Sequence, residues 1–321
     1  MTTTLIRDDL ELEIDALRKE RNAVILAHFY QRPELQDLAD HVGDSLQLSR
    51  QAAKTTADVI VFAGVKFMAE TAKILNPGRT VVLPDLEAGC SLVDGCPPEQ
   101  FRAWRAQWPD ALVVTYINSS IELKAMSDYT CTSSNARQVI EAIPRDRPVI
   151  FAPDKNLGAY LAKVTGRELI LWPGSCMVHE VFSDKQVVLL KDEHPDAPVL
   201  AHPECEERVL RHADYIGSTA GILEFARKSE KRKFLVGTEA NIIHAMKKAA
   251  PDKEFIPIPT LTGCACNECP HMKRNTVVKL RDCLRDLRPE ITVPEDLRRA
   301  ALRPIEAMFR VCDGAVPTRG D

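Results

Sequence analysis

The sequence predicts an α/β fold: three small three-layer domains with parallel sheets, related by a pseudo-threefold axis around a central active site. Three observations predict it. Short apolar runs alternate with amphipathic runs along the chain, as strands and helices do in α/β proteins. The apolar runs are continuous, as parallel strands covered on both faces require. The pattern is also written three times. The runs VILAH, LVVTY and VLAH end at His28, Tyr116 and His202, spaced 88 and 86 residues apart. Twelve residues after each stands an aspartate (Asp40, Asp128, Asp214), and seventeen after each a hydroxyl (Ser45, Ser133, Thr219). Two after each stands another polar group (Tyr30, Asn118, Glu204). Offsets held through three copies without a gap indicate triplication.

Each copy reads alike. The first strand leads into a helical run (ELQDLAD, IELKAMSD, EERVLRHAD) and then a short strand (HVGDS, YTCTS, YIGST). The hydroxyl that ends this strand is expected to N-cap the next amphipathic run (LQLSRQAA, NARQVIEAI, AGILEFARK). A third strand (VIVFAG, VIFAPD, FLVGTE), a helix and a last apolar run complete the copy. That last run leads to cysteine each time: Cys90, Cys176, and the group Cys264, Cys266 and Cys269. The expected domains are residues 1–90, 91–177 and 178–270. The tail 271–321 holds two helical patterns, TVVKLRDCLRDL and PEDLRRAALRPIEAMF, expected to pack back on the first domain.

Apolar residues make up 45% of the 321, enough for a substantial core. With 42 basic and 46 acidic residues, charge gives no reason to expect a nucleic-acid or anionic-membrane partner. No apolar stretch approaches the roughly 18–20 residues of a membrane span. The first residues carry charges throughout and lack the apolar core of a secretory signal. A cytoplasmic location is expected. There the ten cysteines read as metal or redox chemistry before a disulfide framework.

Ligand sites of parallel sheets lie beyond the carboxyl ends of the strands. Cys90, Cys176 and one late cysteine stand at such ends, and three thiolates can hold a cubane iron–sulfur cluster with one iron open as a Lewis acid. Cys96, Cys131, Cys205, Cys283 and Cys312 read as small buried hydrophobes. Zinc is the rival for Cys264, Cys266, Cys269 and His271, but two ligand pairs a dozen or more residues apart are absent. Ser45, Ser133 and Thr219 at helix starts offer anion sites, against plain capping as the alternative. Residues i and i+2 of an extended segment point the same way. His28 with Tyr30, Tyr116 with Asn118, and His202 with Glu204 would then present acid–base and hydrogen-bonding pairs to one cavity. No dinucleotide fingerprint, phosphate loop or zincin motif is present.

At these residues the chain resembles the quinolinate synthase family. The likeness runs through AHFYQRPELQDLADHVGDSLQLS, VFAGVKFMAETAKIL, LEAGCSL, VVTYINSS, CTSSNA, FAPDKNLG, PGSC, AHPEC, GST, VGTE and CPHMKRN. The resemblance implies three α/β domains around a central site. It implies a transferase of de novo NAD biosynthesis that condenses iminoaspartate (iminosuccinate) with dihydroxyacetone phosphate, losing phosphate and two waters as the pyridine ring closes. It implies one 4Fe-4S cluster per chain on Cys90, Cys176 and Cys269, and functional coupling to an L-aspartate oxidase or aspartate dehydrogenase that supplies the imine. Carried over as substrate-binding are His28, Ser45, Tyr116, Ile117, Asn118, Ser133, His202, Pro203, Glu204 and Thr219. Tyr30, Glu204, His28 and His202 are carried over as catalytic, with Met68, Glu70, Asn156 and Glu239 nearby. One departure is CxCxxC where many members carry CxxCxxC, and a disulfide across CxC is strained. Another 4Fe-4S hydro-lyase on the same scaffold, or a non-catalytic zinc module, are the alternatives.

Overall fold

A computed structural model describes residues 2–265 and 267–314. It contains three four-stranded sheets, each flanked by helices, and every strand pair in them is parallel. The first sheet comprises β1 (Ala23–His28), β2 (His41–Gly43), β3 (Val59–Ala63) and β4 (Thr80–Val82). The second holds β5 (Leu112–Tyr116), β6 (Tyr129–Cys131), β7 (Val149–Ala152) and β8 (Ile170–Leu171). The third holds β9 (Val199–Ala201), β10 (Tyr215–Ile216), β11 (Lys233–Gly237) and β12 (Glu254–Pro257). The orders β2-β1-β3-β4, β6-β5-β7-β8 and β10-β9-β11-β12 are one order repeated. Register repeats with it: Leu26 pairs with His41, Val114 with Tyr129, and Leu200 with Tyr215, fifteen residues apart each time.

The recurring aspartates explain that register. Asp40 accepts the Ile25 N–H on its carboxylate (2.8 Å) and donates its own N–H to the Ile25 carbonyl (2.9 Å). Asp128 does the same to Val113 (2.7 and 2.9 Å), and Asp214 to Val199 (2.8 and 2.9 Å). Each aspartate clamps the first strand of its sheet just before the second strand pairs with it.

The chain divides into two compact units. One, residues 1–90 and 269–294, holds the first sheet. Its core joins Ile14, Ile25, Leu35, Val61 and Val82 to Leu280 and Leu284. The helix Val277–Asp286 packs on the helix Thr2–Glu20. The other unit, residues 91–268 and 295 onward, holds the second and third sheets. Phe101, Val113, Leu123, Ile150 and Trp172 form one core there, and Phe182, Val187, Val199, Leu235 and Ile258 another. The helix Glu295–Cys312 belongs to this unit, not to the one that holds the first sheet, where the tail was expected. It lies on the helix Ile121–Ala125, on β6 and on the helix Ala136–Ala142. Its stripe of Ala301, Ile305 and Met308 is buried, and Thr130 Oγ1 donates to the Pro304 carbonyl (3.2 Å).

The expected helix caps are corrected by a residue or more. Asp44, not Ser45, caps the helix Ser45–Lys54, in a capping box with Gln47. Ser218, not Thr219, caps the helix Thr219–Lys228 and accepts from the Gly221 N–H. In the second copy the helix starts only at Ala136, and Ser133 lies in the turn before it. There Asn135 turns its side chain back to accept the Thr132 N–H (2.7 Å). An oxygen on the last extended residue reaches the N2 and N3 amides; one on the first helical residue points elsewhere.

Candidate active site

In the first unit β1 delivers His28, which is buried, to the carboxyl end of its sheet. The chain then turns, the Gln31 N–H donating to the His28 carbonyl (2.9 Å), so Tyr30 does not continue an extended segment as expected. The pair still meets. The Tyr30 N–H donates to His28 Nδ1 (3.1 Å), and the rings stand edge to face with centroids 4.5 Å apart. The Cys-Pro segment secures this turn: Lys273 Nζ donates to the Tyr30 carbonyl (3.0 Å), and Gln31 Nε2 to Met272 Sδ (3.2 Å). A Cβ built on Gly89 would lie 3.4 Å from His271 Nδ1, so the loops that carry Cys90 and Cys269 meet in this unit. Both thiols are half-buried. Met68 is buried against Gly64, and Glu70 stands 3.9 Å from Lys66. Ser45 is half-buried on the first turn of its helix.

In the second unit β5 and β9 lead to one buried polar cluster. Tyr116 Oη donates to Glu204 Oε1 (2.6 Å). Glu204 Oε2 lies 2.9 Å from His179 Nδ1, which is also 3.3 Å from Cys176 Sγ. His179 Nε2 is 2.9 Å from Thr238 Oγ1, and the ring stacks on His202 with centroids 4.7 Å apart. The Glu204 N–H returns to His202 Nδ1 (3.3 Å), and Asn156 Nδ2 donates to the Glu204 carbonyl (3.2 Å). Only 2–3% of His179, His202 and Glu204 is exposed. Burial works against the Glu204 charge. The facing charges of His179 and His202, with hydrogen bonds from His179 and Tyr116, outweigh burial and hold the carboxyl well below the usual range. Asp154 goes the opposite way: burial, then the Glu204 charge, raises it well above the usual range. The two carboxyls are thus shifted in opposite directions.

Of the expected residues, this cluster contains Tyr116, His202, Glu204, Cys176 and Asn156. Ile117 and Pro203 are buried beside it in sequence, and Thr219 is buried at its helix start. Asn118 Oδ1 is buried with no hydrogen-bond partner among the described residues. Glu239 turns its carboxylate to the Asn241 N–H (2.8 Å) and Nδ2 (3.0 Å), holding the loop after β11. Sequence reasoning missed His179, Thr238 and Asp154; the Cys-x-x-His spacing of Cys176 and His179 was the available signal. Cys264 is in a disulfide, and Cys266 lies outside the described residues. Cys96, Cys131, Cys205 and Cys283 are buried as expected, whereas Cys312 is half-buried and accepts from Asn135 Nδ2 (3.0 Å).

Residues 12–310 match the family described as quinolinate synthetase A protein. The quinolinate synthase of Microcystis aeruginosa is 60% identical over 304 residues, 95% of each chain. That of Chloroherpeton thalassium is 61% identical over 304 residues, 94% of each chain. That of Trichodesmium erythraeum is 58% identical over 306 residues, 95% of each chain. The chain belongs to the quinolinate synthase family. It is therefore an enzyme, and the polar residues at the strand ends are candidates for its machinery. Among the described residues of this quinolinate synthase family member, no helix is long and apolar enough to cross a membrane.

Proposed function

We propose that the chain is a cytoplasmic transferase that makes quinolinate from iminoaspartate and dihydroxyacetone phosphate, with loss of phosphate and two waters, as a step of NAD biosynthesis. An L-aspartate oxidase or an aspartate dehydrogenase supplies the imine. The three repeats form domains 1–90, 91–177 and 178–270.

The cofactor in this reading is one 4Fe-4S cluster on Cys90, Cys176 and Cys269. The thiol inventory supports that donor set. Burial pushes the Cys96 and Cys283 thiols up to about 12 and raises those of Cys131 and Cys205 as well, so these four do not supply thiolates. Cys90, Cys176 and Cys269 are half-buried, and each follows the last strand of a sheet in sequence. When bound, the cluster supplies an open iron that polarises a leaving hydroxyl without redox change.

The protein's own groups then divide the work. Glu204, ionised in the fold, and the Tyr30 phenol move protons during water loss and ring closure. His28 and His202 present ring nitrogens to the same chemistry. Ser45, Ser133 and Thr219, at or near helix starts, hold carboxylate and phosphate groups together with Tyr116 and the residues around Ile117 and Pro203. Asn118, whose buried Oδ1 lacks a partner, orients substrate without titrating.

One observation carries the reading: Tyr116, Glu204 and the Cys176–His179 segment, distant in the sequence of a chain of this family, form one hydrogen-bonded chain. The test is anaerobic incubation of the iron-reconstituted protein with oxaloacetate, ammonia and dihydroxyacetone phosphate. Quinolinate should form in proportion to cluster content. Absence of quinolinate from cluster-replete protein would overturn the assignment; water loss from another hydroxy-acid by the same preparation would favour a hydro-lyase.

A further inference from the structure

We infer that the cluster-free chain binds a single zinc ion through Cys176 Sγ, His179 Nδ1 and Glu204 Oε2. These donor atoms converge on one point. The imidazole nitrogen lies 3.3 Å from the sulfur and 2.9 Å from the carboxylate oxygen, and ligand atoms of the three residues all fall within 4.8 Å of one another. Zinc bonds of about 2.0–2.3 Å set tetrahedral edges of roughly 3.3–3.6 Å, so the nitrogen–sulfur and nitrogen–oxygen separations already lie within a few tenths of an ångström of that geometry. Thiolate, imidazole and carboxylate together suit zinc far better than magnesium or calcium, which take oxygen ligands.

The surroundings are those of a metal site. A ligating imidazole is held by a hydrogen bond from its other nitrogen, and a ligating carboxylate is itself hydrogen-bonded. Here His179 Nε2 meets Thr238 Oγ1 at 2.9 Å, which holds the ring with Nδ1 toward the ion once Nδ1 gives up the proton it shares with Glu204. Tyr116 occupies Glu204 Oε1, which leaves Oε2 for the ion. Cys176 is half-buried, whereas His179 and Glu204 are buried. Three protein ligands leave the fourth position to water. Binding displaces to solvent the Cys176 thiol proton and the proton that His179 Nδ1 shares with Glu204, with no change of oxidation state.

The consequence for cluster loading rests on the proposed function: a thiolate held by zinc is withheld from iron, so zinc arrests the chain before its cluster forms. The experiment uses the full-length chain without cluster, titrated with Co2+ under reducing anaerobic conditions and then with Zn2+. One Co2+ should bind per chain, with thiolate-to-cobalt charge-transfer absorption and the intense visible bands of four-coordinate cobalt, and Zn2+ should remove both. His179→Ala and Glu204→Gln should each weaken binding by about 100-fold or more, and Thr238→Val by about 10-fold. Glu204→Gln and Thr238→Val conserve shape, so circular dichroism identical to the parent separates lost ligation from lost fold. Cys90→Ala should leave cobalt affinity within about twofold. Bands that survive His179→Ala and Glu204→Gln, or that vanish in Cys90→Ala, would overturn the site. The readout needs neither substrate nor cluster, so its failure leaves the quinolinate reading standing, and failure of the quinolinate assay leaves the zinc site standing.

Discussion

Asp128 offers the sharpest test of why the fold repeats. Its carboxylate accepts the N–H of Val113, a fully buried residue on the central strand β5. Replacing it with alanine deletes the acceptor and orphans a buried amide. A hydrogen bond to a charged group is worth about 1.5–3 kcal/mol. Asp128 is itself exposed, so screening puts the loss at the low end, about 1.5 kcal/mol, or roughly tenfold. Asp128→Asn keeps an oxygen in place and should cost about 0.5 kcal/mol or less. The assay is amide hydrogen exchange of the segment Leu112–Tyr116, with a urea midpoint as the global check. Exchange at Val113 should rise about tenfold in Asp128→Ala and barely move in Asp128→Asn. The equivalent changes at Asp40 and Asp214 sit in other sheets and share no partner with it, so their costs should add. Together they approach about 4.5 kcal/mol, most of the stability of a marginal protein. Unchanged exchange at Val113 in Asp128→Ala, or equal damage from the asparagine, would refute the clamp.

Other outcomes follow from the site and its supports. Cys90→Ala, Cys176→Ala and Cys269→Ala should each abolish bound iron and visible absorption, whereas Cys264→Ala should retain most of both; iron analysis after anaerobic reconstitution decides it. Tyr30→Phe and Glu204→Gln should lower single-turnover rates by roughly 10²- to 10⁴-fold with the cluster retained, and Asn118→Ala should act mainly on substrate binding. Ser45→Ala, Ser133→Ala and Thr219→Val should weaken a dicarboxylate inhibitor by about 10-fold or more each in calorimetry. Asp44→Ala and Ser218→Ala should instead cost about 1 kcal/mol of stability, because those side chains do the capping. Gly158→Ala should destabilise by about 1–3 kcal/mol in urea, since its Cβ would meet Leu171 Cδ2 at 2.5 Å and Phe151 Cδ1 at 2.9 Å.

Much of the architecture was legible because it is periodic. The three sheets, their strands and their common direction follow from apolar runs at matching offsets, and the aspartates at offset twelve mark the clamps even where their role is not evident from sequence. What failed was finer than the period. The caps fell on Asp44 and Ser218 because an extended backbone places those oxygens over the helix end, φ/ψ −82°/176° and −61°/167°, and such dihedrals are not written in residue type. The helix Glu295–Cys312 advertised a buried face but not the surface that buries it. His179 escaped for a different reason. A search for positions shared by three copies sees only what recurs, and the residues three past Cys90 and Cys269 are Val93 and Met272. The cluster at Glu204 is thus built partly from groups that one repeat holds alone.

The backbone amides that close on His28 and His202 have a chemical consequence. In each ring Nδ1 accepts a main-chain N–H from the residue two further on, Tyr30 or Glu204. A neutral imidazole with Nδ1 so engaged carries its proton on Nε2. When neutral, both rings are therefore held in one tautomer by the fold itself. Each meets a ligand as a hydrogen donor, suited to a carbonyl, carboxylate or phosphate oxygen. To act as a base, either ring would have to surrender its Nε2 proton or break its hold on the turn. In the proposed reaction each histidine would then serve as a hydrogen donor to substrate oxygen rather than as a base.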